Sequence, residues 1–414
     1  MTDLSRARAE QLDGADPLRH LPEAFVRPDP GLVYLDGNSL GRLPRRTLER
    51  VERFTREEWG ADLVRGWSRW QDLPLQVGDR VGEVLLGAAS GQVVVTDTIS
   101  VNLFSLAHAA CDLASGRSVV VGDSRGFPTD RHVVEGVALA RGLSMRWVDS
   151  DPVLGVTSDR LAQVLDDEVA LVSLAHVDYR SGAMVDLAAV TRQVHDAGAV
   201  VLWDLAHSTG CVEVALDAAD VDLAVGCTYK YVNAGPGSPG FVYVNRRLHD
   251  RVTSPIRGWW STPDPFAMDA PYLPAAGVAR FRTGSPSVVG TLAVDEGVAV
   301  LADVGVRALR QRSVALVSYL VELADALLVP LGFELRSPRA AQRRGGHVAF
   351  SHPDAEAVVS ALAQRARVVA DARPPDLVRL SPAPASTTFV EVWEGVTRIA
   401  ELVSAGPWDR APGR

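Results

Sequence analysis

Short apolar runs alternate along most of the chain with stretches whose apolar residues recur at helical spacing. The runs SVVVGD (118–123), MRWVD (145–149), VALVSLAHV (169–177), AVVLWDLA (199–206) and ADVDLAVGC (219–227) read as strands. Between them, TDRHVVEGVALARGL (129–143), SDRLAQVLDD (158–167) and LAAVTRQVHDAG (187–198) read as amphipathic helices. Such alternation predicts βαβ units, hence an α/β fold with a mainly parallel sheet and helices on both faces. Upstream, VVVTDTISVNLFSLAHAACDLA (93–114) reads as a strand, a Thr/Ser-rich turn and an apolar helix. Residues 1–30 read as a short helix and a Pro-rich connector, and a helix with Pro at its start is expected over 44–60. From 305–328 a long helix leads into FELRS, HVAFSHP, AEAVVSALAQRA, a strand at RVVADAR and a terminal helix over about 389–404.

The pattern divides the chain into an N-terminal segment (1–44) packing on the small domain or a partner, a large domain (45–290) and a small α+β C-terminal domain (291–414). Trp59, Trp67 and Trp70 are expected to pack against the large domain rather than to line a pocket.

Composition narrows the function classes. The chain has 414 residues, 47% hydrophobic and 22% charged, as in ordinary globular proteins. Its net charge of -9 provides no basic stripe for phosphates, so nucleic acid is not expected as a partner. The polar N-terminus shows no secretion signal and no apolar run is long enough for a membrane span, so a cytoplasmic protein is expected. Cys111, Cys211 and Cys227 lie in apolar segments without CxxC spacing and read as buried thiols in a reducing compartment; no metal site is indicated.

Lysine stands out by its rarity: 41 of the 42 basic residues are arginine, and Lys230 is the exception. An amine can deprotonate and form a Schiff base, which a guanidinium cannot. A leftover surface lysine in an arginine-rich chain remains the plain alternative. The run ending in Asp204 puts a carboxylate at a strand's C-terminal tip, where open α/β sheets bind ligands. A lysine for the aldehyde carbon and a carboxylate for the ring nitrogen are what pyridoxal phosphate requires. Thr98–Ser100, at a helix N-terminus, suit its phosphate, although Ser and Thr are also ordinary helix caps.

The segments DLAH (204–207), YKY (229–231), GNSLG (37–41), FPTD (127–130) and GWW (258–260) together resemble kynureninase, a fold-type I enzyme of the aminotransferase superfamily. The resemblance runs from about residue 31 to about 400. It implies a pyridoxal phosphate-dependent homodimer hydrolysing the Cβ–Cγ bond of L-kynurenine to anthranilate and L-alanine. By that resemblance Lys230 holds the cofactor and shuttles the Cα proton, Asp204 pairs with the pyridine nitrogen, and Phe127 stacks on the ring with Asp130 close by. Pro128, Thr129 and Ala175 belong to the same cofactor set. Ile99 and Ser100 serve the phosphate, and His207 and Tyr229 sit at the cofactor. Trp259 and Ser285 match positions supplied by the second subunit. Arg379 matches the arginine gripping the substrate carboxylate, joined by Asn38 and Ser39. Tyr229 is a candidate acid–base group with a lowered pKa, or else a phosphate ligand only.

The chain departs from the family pattern at the substrate end. Ser261-Thr262 replace Gly-His after GWW, Ala175 and Asp178 replace Ser/Thr and Asn, and Ala385-Ser386 replace Leu-Tyr. A ring-substituted kynurenine is therefore a plausible substrate. A cysteine desulfurase, an aminotransferase and a non-catalytic homologue are the alternatives, the first disfavoured by the apolar settings of all three cysteines.

Overall fold

The structure is a computed structural model that describes residues 3–268 and 271–406. Its centre is a seven-stranded sheet of β1 (Val93–Val95), β2 (Val119–Asp123), β3 (Ser144–Val148), β4 (Val169–Ala175), β5 (Val200–Asp204), β6 (Leu223–Gly226) and β7 (Phe241–Val244). The strand order is β1-β7-β6-β5-β4-β2-β3. Only β7 runs antiparallel to its neighbours.

Val119, Val121, Val201 and Trp203 point into one apolar core, while Val120, Leu202 and Leu223 point into another on the opposite face. That is why these strands read as continuous apolar runs instead of alternating ones. One face is covered by α1 (Ile99–Leu113) and α2 (Pro128–Ala140). The other is covered by the helices Leu73–Val81 and Leu187–Asp196 and by α3 (Val288–Ala302).

A further core joins Ala9, Val33 and Leu35 to α4 (Val306–Leu327), α5 (Phe389–Ala405) and a four-stranded antiparallel sheet. That sheet holds β8 (Glu334–Leu335), β9 (Val348–Ser351), β10 (Asp371–Arg373) and β11 (Leu377–Leu380), in the order β10-β11-β9-β8. Residue 290, where the hydrophobic pattern ended the large domain, falls inside α3. Val294, Val298 and Leu301 of α3 bury in the large core, and the packing changes over only between Leu309 and Leu316 of α4.

RVVADAR is not one strand. Val368–Val369 pairs in parallel with Val33–Tyr34, whereas Asp371–Arg373 crosses to pair with β11. The helix expected over 158–167 stops at Ala162, and beyond it Asp166 accepts the Glu168 N–H at 3.0 Å in a turn. Trp70 is buried against Phe54 and Trp67 half-buried against Trp260, whereas Trp59 is 55% exposed. Among the described residues, no helix is long and apolar enough to cross a membrane.

Candidate active site

The parallel strands deliver their last residues to one edge of the sheet. In register, Ala175 of β4 lies opposite Asp204 of β5, and Asp204 opposite Val225 of β6. Beyond these tips is a cavity of about 220 Å3, and Asp123, Ala175 and Asp204 all line it. Strand β6 continues through Cys227 to Tyr229 and Lys230, which line it as well. The site thus lies where parallel α/β sheets concentrate chemistry.

Lys230 is half-buried, and its Nζ lies 2.9 Å from Nε2 of His207. Burial, then the charges of Lys230, His347, Arg379 and Arg373, drive the His207 imidazole well below its usual pKa, so it stays neutral. Asp204 accepts the Ala206 N–H at 2.8 Å. Burial and the adjacent Asp204 carboxylate push the Asp130 carboxyl well above the usual range, so Asp130 keeps a proton to share with Asp204. Asp130 Oδ1 and His207 Nδ1 are buried without a hydrogen-bond partner in the chain.

Tyr229 departs from expectation. Burial, followed by neighbouring Cys227, pushes its phenol above the ordinary value, not below it. In the chain alone Tyr229 is therefore an acid. Asp178 also lines the cavity, its Oδ1 accepting from the Arg180 N–H (2.9 Å), the Ser181 N–H (2.6 Å) and the Ser181 hydroxyl (2.9 Å).

One end of the cavity gathers hydroxyls and the start of a helix, groups of the kind that bind anions. Thr98 caps α1, accepting from the Val101 N–H at 3.4 Å, and Thr98, Ile99 and Ser100 face the cavity with Gly237, Ser238 and Gly240. A Cβ on Gly240 would meet the Gly226 carbonyl at 2.7 Å and crowd the Asn102 amide nitrogen at 3.2 Å, so the turn closes only around glycine. The GNSLG loop grips the lysine segment from the other side. The Gly41 N–H donates to the Tyr229 carbonyl at 2.8 Å, and a Cβ on Gly41 would lie 2.2 Å from the Lys230 carbonyl.

Of the remaining expected residues, Phe127, Thr129 and Asp130 line the cavity, whereas Pro128 serves as the first residue of α2. Trp259 is 41% exposed in an aromatic cluster with Trp260 and Phe266, away from the cavity. Ser285 lines an adjoining cavity that shares Thr98 and Gly237 with the first. Arg379, Asn38 and Ser39 do come together, but behind the cavity wall. Arg379 is 1% exposed, donating to Asp371, to the Tyr179 carbonyl and to Ser39 Oγ at 3.3 Å. With its amide oxygen assigned toward the guanidinium, Asn38 accepts from Arg379 at 3.3 Å.

Of the departures, Asp178 and Ala175 reach the cavity. Ser261 is buried between the Gly258 carbonyl (2.6 Å) and the Tyr272 hydroxyl (3.0 Å). Thr262 donates to the Trp259 carbonyl at 3.1 Å, and Ala385 and Ser386 are packed inside. Tyr179, Asp371 and His347 were not singled out from the sequence. Their meaning lies in contacts with distant segments, and no local motif marks them.

A family profile described as "Kynureninase C-terminal domain" matches residues 309–399. The chain is 40% identical to a kynureninase of Pseudomonas fluorescens over 97% of this chain and 96% of that protein. It is 41% identical to a kynureninase of Burkholderia pseudomallei (strain 1106a) over 99% and 97% of the two chains. Among solved structures, an apo cysteine desulfurase from Thermococcus onnurineus NA1 superposes with a TM-score of 0.79 at 19% identity, covering 90% of this chain and 95% of that one. A C-DES variant with glycine linked to its PLP cofactor also scores 0.79, at 18% identity, covering 90% and 97%. At such identity these structures speak for the fold alone.

Proposed function

The chain belongs to the kynureninase family, and on that footing we propose how its cavity works. It binds pyridoxal phosphate and hydrolyses the Cβ–Cγ bond of L-kynurenine, or of a ring-substituted kynurenine, releasing an anthranilate and L-alanine. The observation that carries the reading is Lys230: the chain's one lysine lies at the sheet's C-terminal edge, beside a buried strand-tip acid.

The residues fit that cofactor. Lys230 supplies the amine, Asp204 the partner for a ring nitrogen, and the start of α1 with Ser100 and Ile99 the phosphate cradle. Phe127 and Thr129 fill the wall beside Asp130, whose unpartnered Oδ1, like His207 Nδ1, has polar capacity to spare for a bound group. When bound, pyridoxal phosphate supplies an electron sink for charge developing on the substrate carbons.

The chain's own groups do the rest. Lys230 Nζ moves the Cα proton, with neutral His207 as its hydrogen-bond partner. The proton on Asp130 holds Asp204 in place as a carboxylate. Tyr229, which keeps its phenolic proton, donates toward oxygen gaining charge as water adds to the γ-carbonyl. Arg379, held with Asn38 and Ser39 behind the wall that Tyr179 forms, is our candidate for the substrate carboxylate, which would take the place of the Tyr179 carbonyl on the guanidinium.

Burial holds the Cys111 thiol up at about 11 and the Cys211 thiol up at about 12, and raises that of Cys227 too. None is the reactive thiol a desulfurase needs, and the lysine–aspartate pair argues against a non-catalytic homologue. We place the enzyme in the cytoplasm as a homodimer acting on tryptophan-derived kynurenines. The three buried free thiols and a Trp259 left outside its own cavity support this.

The test is a panel of L-kynurenine, 3-hydroxykynurenine and other ring-substituted analogues, scored for anthranilates and alanine. The yellow holoenzyme is expected to cleave at least one, and Lys230→Ala to lose both colour and turnover. No cleavage of any member, with another amino acid losing its amino group, makes the protein an aminotransferase instead.

A further inference from the structure

Where the tip of the large sheet meets the small domain, the interior gathers several nitrogens without a hydrogen-bond partner in the chain. The His207 and His347 rings lie 5.2 Å apart, tilted by 52°, with His207 against Lys230. Both imidazoles feel the charges of Lys230, Arg379 and Arg373. Buried here without hydrogen-bond partners are His207 Nδ1, Nδ1 and Nε2 of His347, and Nε of both Arg373 and Arg379.

His347 is 0% exposed, just ahead of β9. The nearest acceptors are already engaged. Asp371 takes Arg373 (2.9 Å), Ser39 Oγ (2.8 Å) and Arg379, and its free Oδ1 pairs with none of these nitrogens. The Tyr179 carbonyl, close to the His347 ring, takes Arg379. Asp36 belongs to the same neighbourhood, its carboxyl lifted to about 6 by burial and held by Ser39. Buried polar groups are nearly always paired, so the unpartnered Nε of Arg373 and Arg379 beside the one N–H of a neutral His347 call for an acceptor arriving from outside. That acceptor is anionic.

We propose that His347 donates a hydrogen bond to the α-carboxylate of the amino-acid substrate, next to Arg379, and so fixes the substrate's orientation. The inference rests on the functional reading above, in which Arg379 receives that carboxylate. His347 adds a directional neutral donor to a charged one, and it reaches the site from the small domain. The acceptor nearest the His347 ring, the Tyr179 carbonyl, is shared with Arg379, so the ring lacks an acceptor of its own within the chain.

The experiment compares the holoenzyme with its His347→Phe and His347→Gln variants. L-alanine and ethylamine, which differ only by the carboxylate, are titrated calorimetrically and by the change in the yellow absorption. His347→Phe is expected to weaken L-alanine by about tenfold or more while leaving ethylamine within about twofold. KM for kynurenine rises with kcat nearly unchanged, and His347→Gln recovers most of the loss. Equal weakening of both ligands, no change in either, or a wild type that binds ethylamine as well as L-alanine overturns the proposal. Because the readout is a ratio within one protein, His347→Ala takes the place of the Phe variant if that one does not fold. A wild type that binds L-alanine yet cleaves no kynurenine fails the hydrolase reading, while the ratio still judges His347.

Discussion

At neutral pH the Asp36 side chain pulls against its surroundings. Burial, with help from Asp371, lifts its carboxyl to about 6, against 3.8 for an ordinary aspartate, despite Arg379 nearby. The folded protein thus holds this proton more tightly than the unfolded chain does. The resulting stability is complete below about pH 4 and is lost as pH rises through about 6. Asp36→Asn should therefore be more resistant to urea than wild type at pH 8, by about 1–3 kcal/mol, and show no advantage at pH 4. An equal offset at both pH values would contradict this origin. Individual residues were legible from sequence where rarity or position marked them, as with Lys230 alone among arginines and Asp204 ending an apolar run. The sequence singled out Tyr229, which does line the cavity, but not the direction of its phenol's shift, because the burial that raises it is not a local property. His347 and Asp371 carry no mark at all, and only the meeting of distant segments gives them meaning.

Elements were legible where burial on both faces makes a strand apolar throughout, as in β2, β4 and β5. Direction is not written in such a pattern, so nothing in FVYV announces that β7 runs opposite to its neighbours. The split of RVVADAR was hidden for a related reason, since its two halves pair with strands far apart in the chain. The GNSLG loop shows how an element without regular structure can still hold the site. Gly41 lies so close to the Lys230 carbonyl that alanine there must displace the lysine segment, the contact being backbone and unable to swing away. Gly41→Ala should lower kcat/KM by about 10–100-fold, since an error of about 1 Å in a catalytic group costs that much. The accompanying loss of stability should be only about 1–3 kcal/mol. Wild-type turnover in this variant would show that the loop does not set the position of Lys230.

On the scale of the whole molecule, the arrangement of Trp259 and Ser285 bears on assembly. Neither reaches the main cavity of its own chain, and Ser285 stands in a cavity that adjoins it through Thr98 and Gly237. If a second chain supplies Trp259 to this site, Lys230→Ala and Trp259→Ala subunits, each weak alone, should recover up to about one quarter of wild-type activity when refolded together, through hybrid dimers carrying one intact site. Failure of mixed samples to exceed the sum of the parents would argue for self-contained sites. One further property concerns how this protein can be handled and tagged. Apart from the chain's α-amino group, the only primary amine is on Lys230, half-buried against His207. Acylation, isopeptide tagging or amine coupling to a surface therefore has no harmless ε-amine to modify. Each such modification would also inactivate the enzyme, and protection of that amine by a bound ligand would report occupancy of the active site directly.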